Sequence, residues 1–205
     1  MDLLPLVKNY PALPIEARKT ILKEVGLGLS DMHAKNWIHF DVKPNNVFLN
    51  CFVDDKTDEF QLEKGNVMWR SPEGQLGKGL GKPSEVFSFG LLCLYVITGA
   101  QCSHPDFDKL ECEPEPVILY KLLSIFGPLP DALVKHVNDE EAEALLRGLS
   151  QAIAEDESNE AFEQWSEDTF PNLNDEAKSL ILRMTNLDPA KRARMSDIMM
   201  DPYWN

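Results

Sequence analysis

Between Val86 and Ile97 the chain reads V-F-S-F-G-L-L-C-L-Y-V-I, which would be apolar on nearly every face of a helix. A surface helix shows one apolar stripe, whereas a segment apolar all round must be enclosed by other elements or by lipid. Twelve residues interrupted by Ser88 and Gly90 are too few to span a bilayer. The segment therefore predicts a helix in the middle of a core, with the other elements arranged around it. Apolar residues make up 43% of the 205 and charged residues 26%, an ordinary globular mixture with enough material for a sizeable core. That length bounds the chain to one ordinary domain or part of a larger one, and neither an internal repeat nor a low-complexity linker divides it.

The surrounding elements are mostly helical. Pro14-Ile15 opens a stretch in which Arg18, Ile21, Leu22, Val25, Leu29 and Met32 recur at helical spacing, with Gly26 and Gly28 weakening it. Pro83-Ser84 predicts the start of the central helix, and Val117 to Phe126 a short apolar one among Pro114, Pro116, Pro128 and Pro130. Ala177, Leu180, Ile181, Met184 and Leu187 predict an amphipathic helix that Asp188-Pro189 stops. Trp37-Ile38-His39 and Val47-Phe48-Leu49 are β-prone runs around a polar loop, which predicts strand, loop, strand over 37–49. The fold class read from these elements is α+β, mostly α, with one small β-hairpin.

Charge and cysteine usage exclude several function classes. Twenty basic against 34 acidic residues give a formal charge of −14, the wrong sign for a nucleic-acid binder or for docking on an anionic membrane. The window 138–168 holds eleven acids and one base, Arg147, and so carries −10 of that charge. It predicts a solvated, partly helical surface insertion, with a docking site for a basic partner as the alternative. Cys51, Cys93, Cys102 and Cys112 form no C-x-x-C pair, and Cys102 near His104 lacks a second ligand pair, so structural zinc is rejected. Isolated thiols fit a reducing compartment, cytoplasmic or nuclear. Asp2, Pro5, Pro11 and Pro14 break any signal-peptide apolar core in residues 1–20.

Chemistry concentrates in His39-Phe40-Asp41-Val42-Lys43-Pro44-Asn45-Asn46, the pattern H-x-D-x-x-x-x-N on the loop between the two β-prone runs. Taken alone, the octapeptide also fits a core histidine beside an aspartate that bonds its own backbone. In this form it resembles the catalytic loop of the protein kinases, and the lysine-proline pair after the aspartate resembles their serine/threonine branch. Three further stretches resemble that family in the right order. Ser71-Pro72-Glu73, after Gly65 and Trp69, resembles the A-P-E that closes the activation segment. Ser84 to Gly90 resembles the D-V-W-S-x-G that opens the central helix of the C-terminal lobe, and Leu187 to Arg192 the terminal L-D-P-x-x-R.

The resemblance implies a protein-kinase-like C-terminal helical lobe over 1–205 and the use of ATP and Mg²⁺. In such a lobe Asp41 accepts the proton of the substrate hydroxyl, Lys43 balances charge on the γ-phosphate, and Asn46 holds Mg²⁺. It also implies that His39 and Glu85 shape the loop and that Glu73 pairs with Arg192. The departures are as specific. No Gly-rich loop, no V-A-I-K lysine with its helix-C glutamate and no D-F-G occurs in the 205 residues. Asn46 and Glu73 are only 27 positions apart, which reads as a deletion of the D-F-G segment near 50–65. Asp54, Asp55 and Asp58 offer charge there without the motif. The glycines of 74–81 match neither phosphate-loop pattern and read as a surface turn.

Three substitutions accompany these losses. Phe40 replaces an arginine, leaving no guanidinium there for a phosphorylated loop. Asn66 replaces a threonine, and Glu85 replaces an aspartate with one methylene more. Two functions follow as expectations: a serine/threonine-type kinase acting on a protein substrate but inactive as these residues alone, or a pseudokinase or fragment that binds a protein partner. A small-molecule phosphotransferase shares a similar loop but lacks the other three motifs. In either case the upper face of the lobe is expected to be apolar and prone to association.

Overall fold

The computed structural model describes residues 2–49, 67–101, 113–156 and 161–205. Cys51, Cys102, Cys112, the suspected deletion at 50–65, Asn66 and residues 157–160 of the acidic window lie outside them.

The apolar run forms the middle of α4 (Lys82–Thr98), where every residue from Ser84 to Ile97 except Ser88 is buried. Pro83 sits in the first turn, where its missing N–H removes no intrahelical bond, and Gly99 at φ 78° supplies the left-handed residue that ends the helix. Around α4 pack α2 (Ile15–Ala34) on one side and α8 (Asp175–Met184) on another. Two glycines allow these approaches. A Cβ at Gly90 would stand 2.7 Å from Thr185 Cγ2 and 2.9 Å from Met184 Cβ, at the α4–α8 contact. One at Gly26 would stand 2.3 Å from Met199 Sδ, where α9 (Met195–Met199) crosses α2.

The second half of the lobe is built on α5 (Pro114–Phe126), which contacts both α3 (Pro72–Gln75) and α7 (Glu140–Glu155). Edge-to-face and tilted rings run from Phe87 through Phe126 and Phe162 to Trp165, tying α4 and α5 to the 162–170 segment. Part of the acidic window forms a docked helix, α7: its Ala142 and Leu146 are buried, and α6 (Asp131–Val137) packs beside them. Asp139 caps its N-terminus by accepting from the Ala142 N–H, and Glu140, Glu141 and Glu143 in the first turn favour its dipole. In the 74–81 turn, Gly77 and Gly79 take φ 65° and 62°.

Arg18 lies on the apolar face of α2 and is 3% exposed. Its guanidinium reaches carbonyls instead of a carboxylate: Leu13 O at 2.9 Å, Pro11 O at 2.8 Å and Val96 O. Val96 lies in the last turn of α4, so Arg18 occupies a carbonyl the helix itself leaves without a partner.

The small β element differs from its expectation. Trp37–His39 and Val47–Leu49 do not pair, and the described residues hold one isolated antiparallel bridge, Asp2 to Phe48. Beside it the Leu3 N–H donates to Val47 O at 3.0 Å, as α1 (Leu3–Asn9) packs on the 44–46 turn. The physical reason lies in donors and burial. The N–H groups of His39 and Phe40 are taken by Glu85, and Trp37 and Phe48 are 70% and 68% exposed, so no buried face fixes a register.

Candidate functional site

The loop 39–46 is held from below. Glu85, in the first turn of α4, directs Oε1 to the N–H groups of His39 (2.7 Å) and Phe40 (2.8 Å). Its Oε2 meets His33 Nε2 at 2.7 Å, and neither side chain is more than 9% exposed. The methylene that distinguishes Glu85 from an aspartate therefore spans from α4 to the loop while a second oxygen turns to α2. Burial pushes the Glu85 carboxyl up, but the bonds from His33 and the two N–H groups outweigh it and hold the carboxyl below its ordinary value. Lys82 ties the same corner by donating to His33 O at 2.6 Å and Asn36 Oδ1 at 2.8 Å.

This anchor sits under strained backbone. Phe40 adopts φ 63°, a left-handed conformation that costs a bulky residue on the order of 1–3 kcal/mol. Two charge-assisted hydrogen bonds to one carboxylate oxygen offset a cost of that size. The twist at Phe40 separates its exposed ring from Val42, which is buried, and turns Asp41 outward.

Beyond Phe40 three polar side chains converge. Lys43 Nζ lies 2.9 Å from Asp41 Oδ2, with the lysine buried and the aspartate about half exposed. Asn46, at the end of the Pro44–Asn46 3₁₀ turn, donates its Nδ2 to Asp41 Oδ2 at 2.7 Å and to Asp41 O at 2.8 Å. His39 Nδ1 accepts from the Asp41 N–H at 3.3 Å. Burial pushes the Asp41 carboxyl up, and the hydrogen bonds from Lys43 and Asn46 more than reverse this, so it lies below the ordinary carboxylate value. Both donors sit on Oδ2, which leaves Oδ1 to accept a proton from outside.

The described residues do not make a Mg²⁺ site by themselves. Mg²⁺ wants near-octahedral oxygen ligands, usually with one or two carboxylates. Asn46 offers one carbonyl oxygen, Asp41 already takes two donors, and no group of three or more His, Cys, Asp or Glu among the described residues could hold a metal. Asp54, Asp55 and Asp58 lie outside those residues.

A second cluster braces the lobe behind the site. Glu73 of α3 and Arg192 form a bidentate pair, Nη1 to Oε1 at 2.5 Å and Nη2 to Oε2 at 2.9 Å, with both side chains fully buried. Ser84 Oγ donates to Glu73 Oε1 at 2.8 Å, and Arg192 also reaches Pro83 O at 3.0 Å and Asn186 O at 2.7 Å. Burial raises the Glu73 carboxyl, but Arg192 and Ser84 bring it below its ordinary value.

All seven singled-out residues thus fall into two groups: His39, Asp41, Lys43, Asn46 and Glu85 at the loop, Glu73 and Arg192 behind it. Sequence reasoning missed His33, Lys82 and Ser84. His33 alone carried a signal, since it follows Leu29 by four positions on the buried face of α2 and a polar side chain there needs a partner.

The family described as the protein kinase domain matches residues 2–204 of the chain. Mitogen-activated protein kinase 7 of Arabidopsis thaliana is 26% identical over 217 residues, covering 98% of this chain and 54% of the relative. Mitogen-activated protein kinase 14 of the same plant is 26% identical over 214 residues, covering 98% and 55%. The chain therefore spans about half the length of the curated relatives it matches. Among solved structures, a MAP kinase of Leishmania major superposes with a TM-score of 0.75 at 18% identity. That superposition covers 100% of this chain and 62% of the other, a likeness of fold to part of a kinase.

Proposed function

This chain belongs to the protein kinase family, and from that premise we propose that it is the C-terminal lobe of a serine/threonine-type kinase whose 39–46 loop serves phosphoryl transfer to protein hydroxyls. The observation that carries the reading is the convergence of Lys43 and Asn46 on one oxygen of Asp41 while the other is left to a substrate. In the reaction the acceptor hydroxyl oxygen forms a bond to the γ-phosphorus of ATP, the bond to the bridging oxygen of the diphosphate breaks, and the hydroxyl proton passes to Asp41 Oδ1. An Asp41 carboxyl below the ordinary value is ionised at neutral pH and ready to orient that hydroxyl. Lys43, already beside Asp41, places its positive charge where the phosphoryl group arrives.

The same reading makes the 205 residues inactive on their own, because the Gly-rich loop, the helix-C pair and the D-F-G carboxylate are not among them. That absence favours a second reading, a lobe that works as a protein-binding module. Its open upper face suits such a role: a cleft of about 540 Å³ between α2 and the 39–49 loop, with Phe48 exposed at its rim. No helix among the described residues is long and apolar enough to cross a membrane. The lack of any C-x-x-C pair among the four cysteines supports a cytoplasmic or nuclear site.

The test is phosphate transfer from Mg·ATP to a serine-rich or basic protein by the purified chain. The proposal expects no incorporation above background. Incorporation that disappears in Asp41→Ala would overturn the inactivity. Restoration of Asp41-dependent transfer by extending the chain with a kinase N-terminal lobe and D-F-G segment separates the kinase reading from the binding module.

A further inference from the structure

A cleft of about 520 Å³ lies between the last turn of α2, the first turn of α4 and the start of α9, and Asp41 is not among its lining residues. In a chain of charge −14, none of its described lining residues is an aspartate or glutamate, whereas Lys82, Arg192 and Arg194 are among them. The charge of Arg192 is spent on Glu73, and His33, also in the wall, is engaged by Glu85. Lys82 and Arg194 are different.

The acceptors of Lys82 are both neutral, the carbonyl of His33 and the side-chain oxygen of Asn36. Among the described residues its ammonium is therefore held in place without a carboxylate partner, and one of its three N–H donors is left over. Arg194 is exposed and has no ion pair among the described residues. Ser30 and Ser196 add hydroxyls to the lining. One carboxylate stands beside the cleft: Asp197 Oδ1 accepts from Ser196 Oγ at 3.3 Å.

A fixed ammonium, a guanidinium fork and two hydroxyls are the donor set of a tetrahedral oxyanion. We propose that this cleft binds a phosphate-class oxyanion, free or carried as a phosphomonoester. Lys82 links the cleft to the loop anchor, because the helix end it clamps is the one that presents His33 to Glu85. An anion on Lys82 and Arg194 is thereby coupled to the corner that holds His39 and Phe40.

The experiment is a titration of the full chain, ¹⁵N-labelled, with inorganic phosphate at constant ionic strength, read by NMR at the backbone amides of Ser30, Lys82, Arg194 and Ser196. A second arm uses O-phosphoserine. The expected result is saturable shifts confined to the cleft, with affinity falling about tenfold or more in Arg194→Gln, the loss of one charge-assisted contact. The thermal midpoint of Arg194→Gln without ligand stays that of the parent chain, since Arg194 makes no ion pair among the described residues. Tighter binding of phosphoserine assigns the site to a carried phosphoryl group, and equal or tighter binding of phosphate assigns it to the free anion. Shifts that never saturate, that sodium chloride reproduces, or that survive Arg194→Gln unchanged would overturn the proposal.

Discussion

Replacing Arg192 by alanine leaves the buried Glu73 carboxylate with Ser84 as its only remaining side-chain donor among the described residues. The loss can be sized from the geometry. Both side chains are fully buried and joined at 2.5 and 2.9 Å, so little of the charge is screened by water. Breaking a buried pair from one side costs about 3–5 kcal/mol, because the desolvation of the survivor is no longer offset. The carbonyls of Pro83 and Asn186 lose a donor as well. Against a domain stability of about 5–15 kcal/mol, that is a large fraction of the total. Urea unfolding followed by tryptophan fluorescence at neutral pH measures it, with Glu73→Gln/Arg192→Met as the companion. The double variant removes both buried charges and should recover part of the loss. Acid supplies an independent check. The Glu73 carboxyl is held below its unfolded value by Arg192, so the pair contributes fully above the ordinary carboxylate range and fades as pH falls through the folded value. The gap between parent and Arg192→Ala should therefore narrow in acid. A cost below about 1 kcal/mol, the level of an exposed pair, or a gap that widens in acid, refutes the reasoning.

Two further outcomes follow from other buried groups. Arg18→Met strips the donor from Leu13 O, Pro11 O and Val96 O and should destabilise the lobe by about 2–3 kcal/mol in the same assay. Arg18→Lys should recover less than half, because one ammonium cannot reproduce the fork. Glu85→Ala should accelerate hydrogen exchange at the His39 and Phe40 amides by about tenfold or more, the factor for ~1.4 kcal/mol, while Glu85→Gln keeps an acceptor there and should protect them better.

What the sequence could show followed from how locally each feature is encoded. The central helix is legible because a surface helix could not expose a twelve-residue run broken only by Ser88 and Gly90, and that run forms the buried middle of α4. The Asp41, Lys43 and Asn46 cluster was legible because its members share one loop, where spacing is nearly geometry. The strand pair expected over 37–49 does not form, because β-propensity reports fit to a half-buried sheet, and these residues are not in one. Their backbone donors go to Glu85, 45 and 46 positions downstream, and Phe48 bridges to Asp2. Pro5 does not prevent helix α1, because it lies in the first turn, where no intrahelical N–H is lost. Arg18 and His33 could not be assigned roles, since each depends on a helix far along the chain. The acidic window shows its charge in sequence but not its docking: Ala142 and Leu146 are buried while Glu140, Glu141 and Glu155 of the same helix are exposed.

Titration of Asp41 by carboxyl ¹³C NMR measures most directly the meeting of Lys43 and Asn46 at its carboxylate. The expected result is an apparent pKa below the ordinary aspartate value of about 3.9, moving up in Lys43→Met as burial is left less opposed. An Asp41 that titrates at or above the ordinary value, and does not respond to Lys43→Met, would contradict it.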